Sequence, residues 1–197
     1  MNRFNLSLPR TAASWLGRFW RKEDGVVSIE AVMVFPLLFW SMWTSYTYFD
    51  SYRQSASNLK AAFAVADIIS REDQQITKQY ITNLYELQKF MISDRSAVSM
   101  RISFVRYDQD QDRHFVLWTC PRGESFEKLD NATLLNEYKD RIPVMADRAV
   151  MILVETKDWY TRPFKIGYGD HSFAINKFMF TQPRGLTNIT VADPDDC

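Results

Sequence analysis

Between Gly25 and Pro121 the chain has no glycine and, apart from Pro36, no proline. A stretch so free of the residues that end helices and break strands excludes a loop-rich first half and points to long, uninterrupted elements. Histidine and cysteine are scarce as well, with two of each. Two distant His and two distant Cys residues lack the close spacing of a zinc site, and no metal or other cofactor is expected. Net charge is also missing: 24 Lys and Arg residues cancel 24 Asp and Glu residues. That balance argues against a nucleic-acid binder with a strong basic field. A length of 197 residues leaves room for one modest domain and a targeting or membrane element, but not for two large domains.

The charges that are present are unevenly placed. Before Gly25 stand five basic residues, Arg3, Arg10, Arg18, Arg21 and Lys22, against Glu23 and Asp24. From Val26 to Phe49 the chain then runs for 24 residues with Glu30 as the only Asp, Glu, Lys or Arg. A helix crossing the hydrocarbon core of a bilayer needs about 20 such residues. Val, Ile, Met, Phe and Leu fill its first half, and Trp40, Trp43, Tyr46 and Tyr48 crowd the second, as suits rings that favour the lipid–water interface. The basic flank places the N-terminus in the cytoplasm and exports the rest. A plain uncleaved anchor has the same composition. A cleaved secretory signal fits less well, because Ala62-Phe63-Ala64 lies beyond the apolar end and Ser55-Ala56-Ser57 is a poor substitute. A carboxylate inside such a span costs about 2.5 to 3.5 kcal/mol on insertion scales, so Glu30 calls for a partner.

A basic leader ending in Gly25, a Glu five residues later and an apolar helix around it resemble type IV prepilins and pseudopilins. Pro36, six residues beyond Glu30 and followed by Leu37-Leu38, narrows the resemblance to TadE-like proteins of the tight-adherence (Tad, or Flp) pilus. Looser similarity extends to the C-terminal third, where Trp159-Tyr160 precedes Pro163 and Phe180 precedes Pro183-Arg184. The long leader and the aromatic outer half of the span, with Ser41, Thr44 and Ser45, depart from the family pattern. The resemblance implies a prepilin peptidase that cuts between Gly25 and Val26, and Glu30 neutralising the new amine of a neighbouring subunit. It implies a non-enzymatic minor pilin or pseudopilin in the inner membrane, acting with other Tad pilus subunits and assembly proteins. Gly25 would leave the scissile bond unhindered, and Pro36 would weaken or kink the helix. The competing reading is a signal-anchored periplasmic sensor or enzyme unrelated to pili, which calls for a polar cluster that the sequence does not display.

Beyond the span, Ala56, Leu59, Ala62, Phe63, Ala66 and Ile69 recur at steps of three and four, so the helix is expected to continue to about Ile69. A second helix is expected after an N-cap at Asp73, with Ile76, Tyr80, Leu84, Leu87, Phe90 and Met91 as its apolar face and an end at Ser93-Asp94. Val98, Met100, Ile102, Phe104 and Arg106 alternate along a strand from Ala97 to Tyr107. The polar run Asp108 to Asp112 links it to a second strand from His114 to Thr119. Further strands are expected over Ala149 to Thr156 and Ser172 to Thr181, with a short helix capped by Asn131 between strands two and three. The fold class is α+β: a long N-terminal helix, then an antiparallel sheet of about four strands packed with helices. The chain thus divides into a leader over 1–25, a span over 26–49, a helical region over 50–93 and a periplasmic domain over 94–197.

In an exported domain Cys120 and Cys197 can form a disulfide tying residue 197 to the second strand; otherwise they are two free thiols. By chain entropy such a bridge contributes up to about 4 to 5 kcal/mol. The run Asp108-x-Asp110-x-Asp112 starts like a calcium loop but has Arg113 where Gly is needed and Thr119 where Glu is needed. Ser57-x-x-Lys60 and Ser125-x-x-Lys128 lack companion motifs, and no triad pattern surrounds His114 or His171.

Overall fold

The computed structural model describes residues 26–92, 96–143, 145–164, 167, 169–184, 189–192 and 197. Among these lie three helices, α1 (Val26–Ser70), α2 (Lys78–Ile92) and α3 (Asn131–Glu137), and four strands, β1 (Ala97–Asp108), β2 (Arg113–Arg122), β3 (Val150–Thr161) and β4 (Ser172–Thr181). The α+β class is the one the sequence pattern predicts. The chain divides into two compact units, Met1–Tyr46 and Thr47–Cys197. The described part of the first is helix throughout.

In the second unit the strands form one antiparallel sheet in the order β2-β1-β3-β4. The two central strands are rich in β-branched and aromatic residues and are buried on both faces, whereas the sequence pattern singled out one face of β1 only. Met100, Ile102 and Phe104 of β1 join Ile152 and Val154 of β3 and Val65, Ala66 and Ile69 of α1 in the larger core. On the opposite face Val105, Met151 and Leu153 pack against Leu129, Leu134, Tyr138 and Ile142. Between β1 and β2 the register slips once: Phe104 faces Trp118 but Val105 faces Val116, which leaves Leu117 as the bulged residue. The slip keeps Phe104 and Trp118 stacked, ring centroids 5.6 Å apart, on the α1 side.

Several local expectations are corrected. Helix α2 is capped by Thr77, whose hydroxyl accepts from the Tyr80 amide at 3.2 Å, and not by Asp73. Ile76 lies outside the helix in a parallel bridge to Val191. The buried face of α2 is Ile81, Leu84, Gln88 and Ile92, and Phe90 is 80% exposed. Helix α3 is capped by Asp130, which accepts from the Thr133 amide at 2.9 Å. That leaves the Asn131 side chain to accept from the Val116 amide at 2.8 Å. In both helices the cap is the residue immediately before the first helical one. Strand β3 extends to Thr161, five residues past its expected end. The expected stop of α2 at Ser93-Asp94 lies outside the described residues.

Cys120 and Cys197 are bonded, Cα atoms 4.8 Å apart across a sequence separation of 77. Residues 189–192 contribute to the core. Ile189 and Val191 are buried, and the Trp118 indole donates to the Ile189 carbonyl at 2.9 Å.

Under α3 sits a closed polar cluster. Arg101 Nε donates to Glu155 Oε2 at 2.7 Å, its other nitrogens donate to the Glu127 carbonyl at 3.0 Å and the Tyr138 hydroxyl at 2.9 Å, and that hydroxyl donates to Glu155 Oε1 at 2.5 Å. Burial and the Glu155 carboxylate push the Tyr138 hydroxyl up to about 12, so it stays a donor. Each charge in such a cluster is satisfied only while the other remains. Glu155→Ala is therefore expected to destabilise the domain by about 3 to 5 kcal/mol. The paired replacement Arg101→Met with Glu155→Leu is expected to lose clearly less. Denaturant midpoints of the detergent-solubilised protein compare the two, and equal losses would show that the ion pair is not the source of the effect.

Candidate functional site

Helix α1 supplies both the apolar segment and the spine of the domain. In its first part Val32, Met33, Phe35, Leu37, Leu38, Phe39, Trp40, Met42 and Trp43 are all about half exposed or more. At 100° per residue these positions occupy every side of the helix, so it has no polar face to offer water. Among the described residues this is one helix long and apolar enough to cross a membrane. The structure is thus compatible with a single-pass anchor.

Glu30 lies one turn into α1 with its side chain exposed and, among the described residues, without an ion-pair partner. Of the expected cleavage pair, Gly25 lies outside the described residues and Val26 opens the helix. Pro36 sits inside α1 without ending it. Lacking an N–H, it leaves the Val32 carbonyl without its helical donor. Cys120 and Cys197 lie apart from these residues in the sequence and act within the domain's own core.

The second part of α1 meets the sheet through polar rungs that the sequence pattern did not reveal. Tyr160 donates to Asp50 Oδ2 at 2.5 Å. Gln54 Nε2 donates to Asp158 Oδ2 at 2.9 Å and to Ser96 Oγ at 3.0 Å. Thr156 donates to Asn58 Oδ1 at 2.8 Å, and Asn58 Nδ2 donates to the Ile175 carbonyl at 3.2 Å. Positions 50, 54 and 58 are one helical turn apart, and 160, 158 and 156 alternate along one face of β3. Four helical residues rise about 6 Å and two strand residues about 6.6 Å, so helix and strand stay in step for three rungs.

Below the rungs the contact becomes apolar: Ala61, Ala62, Val65, Ala66 and Ile69 are buried. The expected stripe holds at Ala62, Ala66 and Ile69 and is corrected at its other positions. Ala56, Leu59 and Phe63 face outward, with Phe63 53% exposed, while Asn58 is fully buried. Alanines, Val65 and Ile69 make up the buried side, while Leu59 and Phe63 turn away. Together with Phe49 (77% exposed) and Tyr52 (81% exposed) they form an outward apolar row at 49, 52, 56, 59 and 63. A signal for the buried side was present in the sequence: polar residues four apart on a helix, matched by polar residues two apart on a strand.

The two histidines stand apart from this helix. His114 packs against the Tyr107 ring, centroids 5.0 Å apart, and burial lowers its pKa so that the neutral form is favoured; His171 is exposed. Asp108 accepts from the amides of Asp110 and Gln111 at 3.0 and 3.3 Å, which makes the Asp108–Asp112 run a hairpin turn held by its own side chain.

Asp158 is fully buried and its Oδ1 has no hydrogen-bond partner. Burial raises its pKa, and the hydrogen bonds from Gln54 and Ser96 offset that only in part. A raised folded-state pKa means that the folded chain holds the proton more tightly than the unfolded chain. Asp158 therefore favours folding at low pH, and the benefit is lost as pH rises through its folded pKa. Asp158→Asn keeps an acceptor for Gln54 without the charge. It is expected to raise the unfolding midpoint at neutral pH, with the gain shrinking on acidification towards the ordinary Asp range of about 4. Thermal unfolding across that range measures it, and a loss of stability at pH 7 would show that the ionised carboxylate is held favourably.

In comparisons with known proteins, no family model, curated protein or solved structure matches this chain.

Proposed function

We propose that this chain is a membrane-anchored minor pilin or pseudopilin-like component of Tad (Flp) pilus biogenesis. It crosses the inner membrane once, with its N-terminus in the cytoplasm and its α+β domain in the periplasm, and it acts structurally, not as a catalyst. The observation that carries this reading is the construction of α1. One unbroken helix of 45 residues, Val26–Ser70, provides an all-round apolar segment with a single carboxylate near its start, then becomes the spine of an antiparallel sheet domain. A catalyst or sensor tethered to a membrane has no need to build its anchor and its core from the same helix, whereas a subunit that assembles through helix packing does.

Two further features support it. Glu30 is the one ionised side chain of the apolar segment, and its partner must come from outside the described residues. The free amine that a prepilin peptidase would create at Val26 of a neighbouring subunit has the required charge, and pairing would lessen the burial cost of both groups. The outward row Phe49, Tyr52, Ala56, Leu59 and Phe63 has the alternating spacing of three and four by which helices pack side by side. The disulfide also agrees with an oxidising compartment.

Processing and pairing are tested separately. Protein recovered from membranes of cells with a prepilin peptidase should begin at Val26, and protein from cells without it should retain the 25 leader residues. An unchanged N-terminus in both would remove the processing step. Glu30→Ala should insert in the membrane at least as well as the parent, since it deletes a costly charge, yet should abolish or strongly reduce pilus assembly in cells. Normal pili with that variant would sink the assigned role of Glu30.

A further inference from the structure

The two edges of the sheet are finished differently. On β2 the Val116 amide is taken by the Asn131 side chain, Leu117 bulges out of register and Pro121 has no N–H to offer. Bulges, prolines and covering groups keep a strand edge from recruiting another strand. β4 has none of them: it runs from Ser172 to Thr181 without proline, glycine or a break in its register with β3. The Arg162 amide donates to the His171 carbonyl at 2.9 Å, one step beyond the Thr161–Ser172 pair. Bonded and unbonded pairs alternate along an antiparallel ladder, so Phe173, Ile175, Lys177 and Met179 turn their backbone groups to β3. Those of Ser172, Ala174, Asn176, Phe178 and Phe180 turn away, and among the described residues no strand pairs with them.

The surroundings of this edge limit what fits it. β4 contains no Asp or Glu, and three cations line it: Lys177 within the strand, Arg141 stacked 4.3 Å over Phe178, and Arg162 5.5 Å over Phe173. The acids that face β4 from β3, Glu155 and Asp158, are buried, one against Arg101 and the other against Gln54 and Ser96. Asp170 precedes the strand and is exposed. Near the end of β4 Phe180, 47% exposed, lines an open cavity of about 450 Å³ with Met151, Pro143 and Pro183, on the side of the sheet that carries α3. We infer that the outer edge of β4 is a docking site for an extended segment of a partner protein in which acidic and apolar residues alternate. It joins the sheet as a fifth strand, its apolar residues beside Phe178, Phe180 and the cavity and its acids beside Lys177. A second copy of β4 would bring the same cations and no acid, so it does not complement the edge. The site lies wholly within the second unit and does not depend on the apolar segment of α1.

The test uses the full chain in detergent micelles and fluorescent peptides as long as β4 that alternate valine with glutamate or valine with lysine. The valine–glutamate peptide is expected to bind and to slow amide exchange at Ala174, Asn176 and Phe178. It should bind about tenfold more weakly to Asn176→Pro, which loses an outward N–H that the fold does not use. Lys177→Glu, which leaves the backbone untouched, is expected to shift the preference to the valine–lysine peptide. No binding of the valine–glutamate peptide, or equal binding by the parent and a folded Asn176→Pro, would overturn the docking edge. Where Asn176→Pro does not fold, the parent's exchange is the measure, and unchanged exchange at those three amides overturns the edge. Equal binding of the two peptides by the parent would overturn the acidic preference. Self-association of the full chain that protects the same amides would assign the edge to a second copy and overturn the acidic partner.

Discussion

The structure depends most on the match in rise between one helix and one antiparallel strand. Asp50, Gln54 and Asn58 reach Tyr160, Asp158 and Thr156 because a helical turn and a two-residue strand step cover almost the same distance. Polar groups buried in this way must be paired to be tolerated, so the rungs discriminate between rotations of the helix. Turning α1 by one residue would swing Asn58 away from Thr156 and bring Leu59 against the sheet, stranding two buried polar groups. The rungs thus select one face of α1 for the domain, and the opposite face, with Phe49, Tyr52, Leu59 and Phe63, is left outward as a consequence.

That division explains why a helix of such length can serve two environments. Its first part is apolar on every side; its second part has a small, partly polar side packed on the sheet and an apolar row facing away. Helix propensity alone would not hold the second part, since most helical stability in proteins comes from packing. The rungs and the alanine contact beneath them supply that packing. On the other face of the sheet, Arg101, Glu155 and Tyr138 close a separate polar cluster under α3, so both faces of β3 carry buried charge in different arrangements. In the Arg101 cluster the charge is answered by an opposite charge; Asp158 is met only by neutral donors, which is why burial dominates its titration.

The legible parts of this fold were those set by period and by chain breakers. The absence of glycine and proline between Pro36 and Pro121 announced the long helix, and strict alternation gave β1, the hairpin and β4 to within a few residues. The stripe on α1 holds at Ala62, Ala66 and Ile69 but fails at Ala56, Leu59 and Phe63, because periodicity ranks side chains by size and greasiness. Here the buried side mixes Asn58 and alanines with Val65 and Ile69, and Leu59 and Phe63 are outside. Burial of both faces of β1 and β3 was hidden for a related reason: Arg101, Ser103 and Glu155 read as solvent residues until Tyr138 and Thr119 are placed beside them. The caps at Thr77 and Asp130 were missed by one to four residues, since several residues in each loop could have capped and only the chain path decides. Glu30 is the opposite case. The sequence marks it clearly, and among the described residues no ion pair answers it.

The position of Asp50 links these two levels. It is the first Asp, Glu, Lys or Arg after the apolar segment and also the first rung, so the apolar run ends where the contact with the sheet begins. Had the first rung been at Asn58, two helical turns would separate the apolar segment from the sheet, about 12 Å of bare helix. With the rung at Asp50 there is no such spacer. The same residue therefore ends the all-round apolar run and fixes the rotation of the helix that follows it.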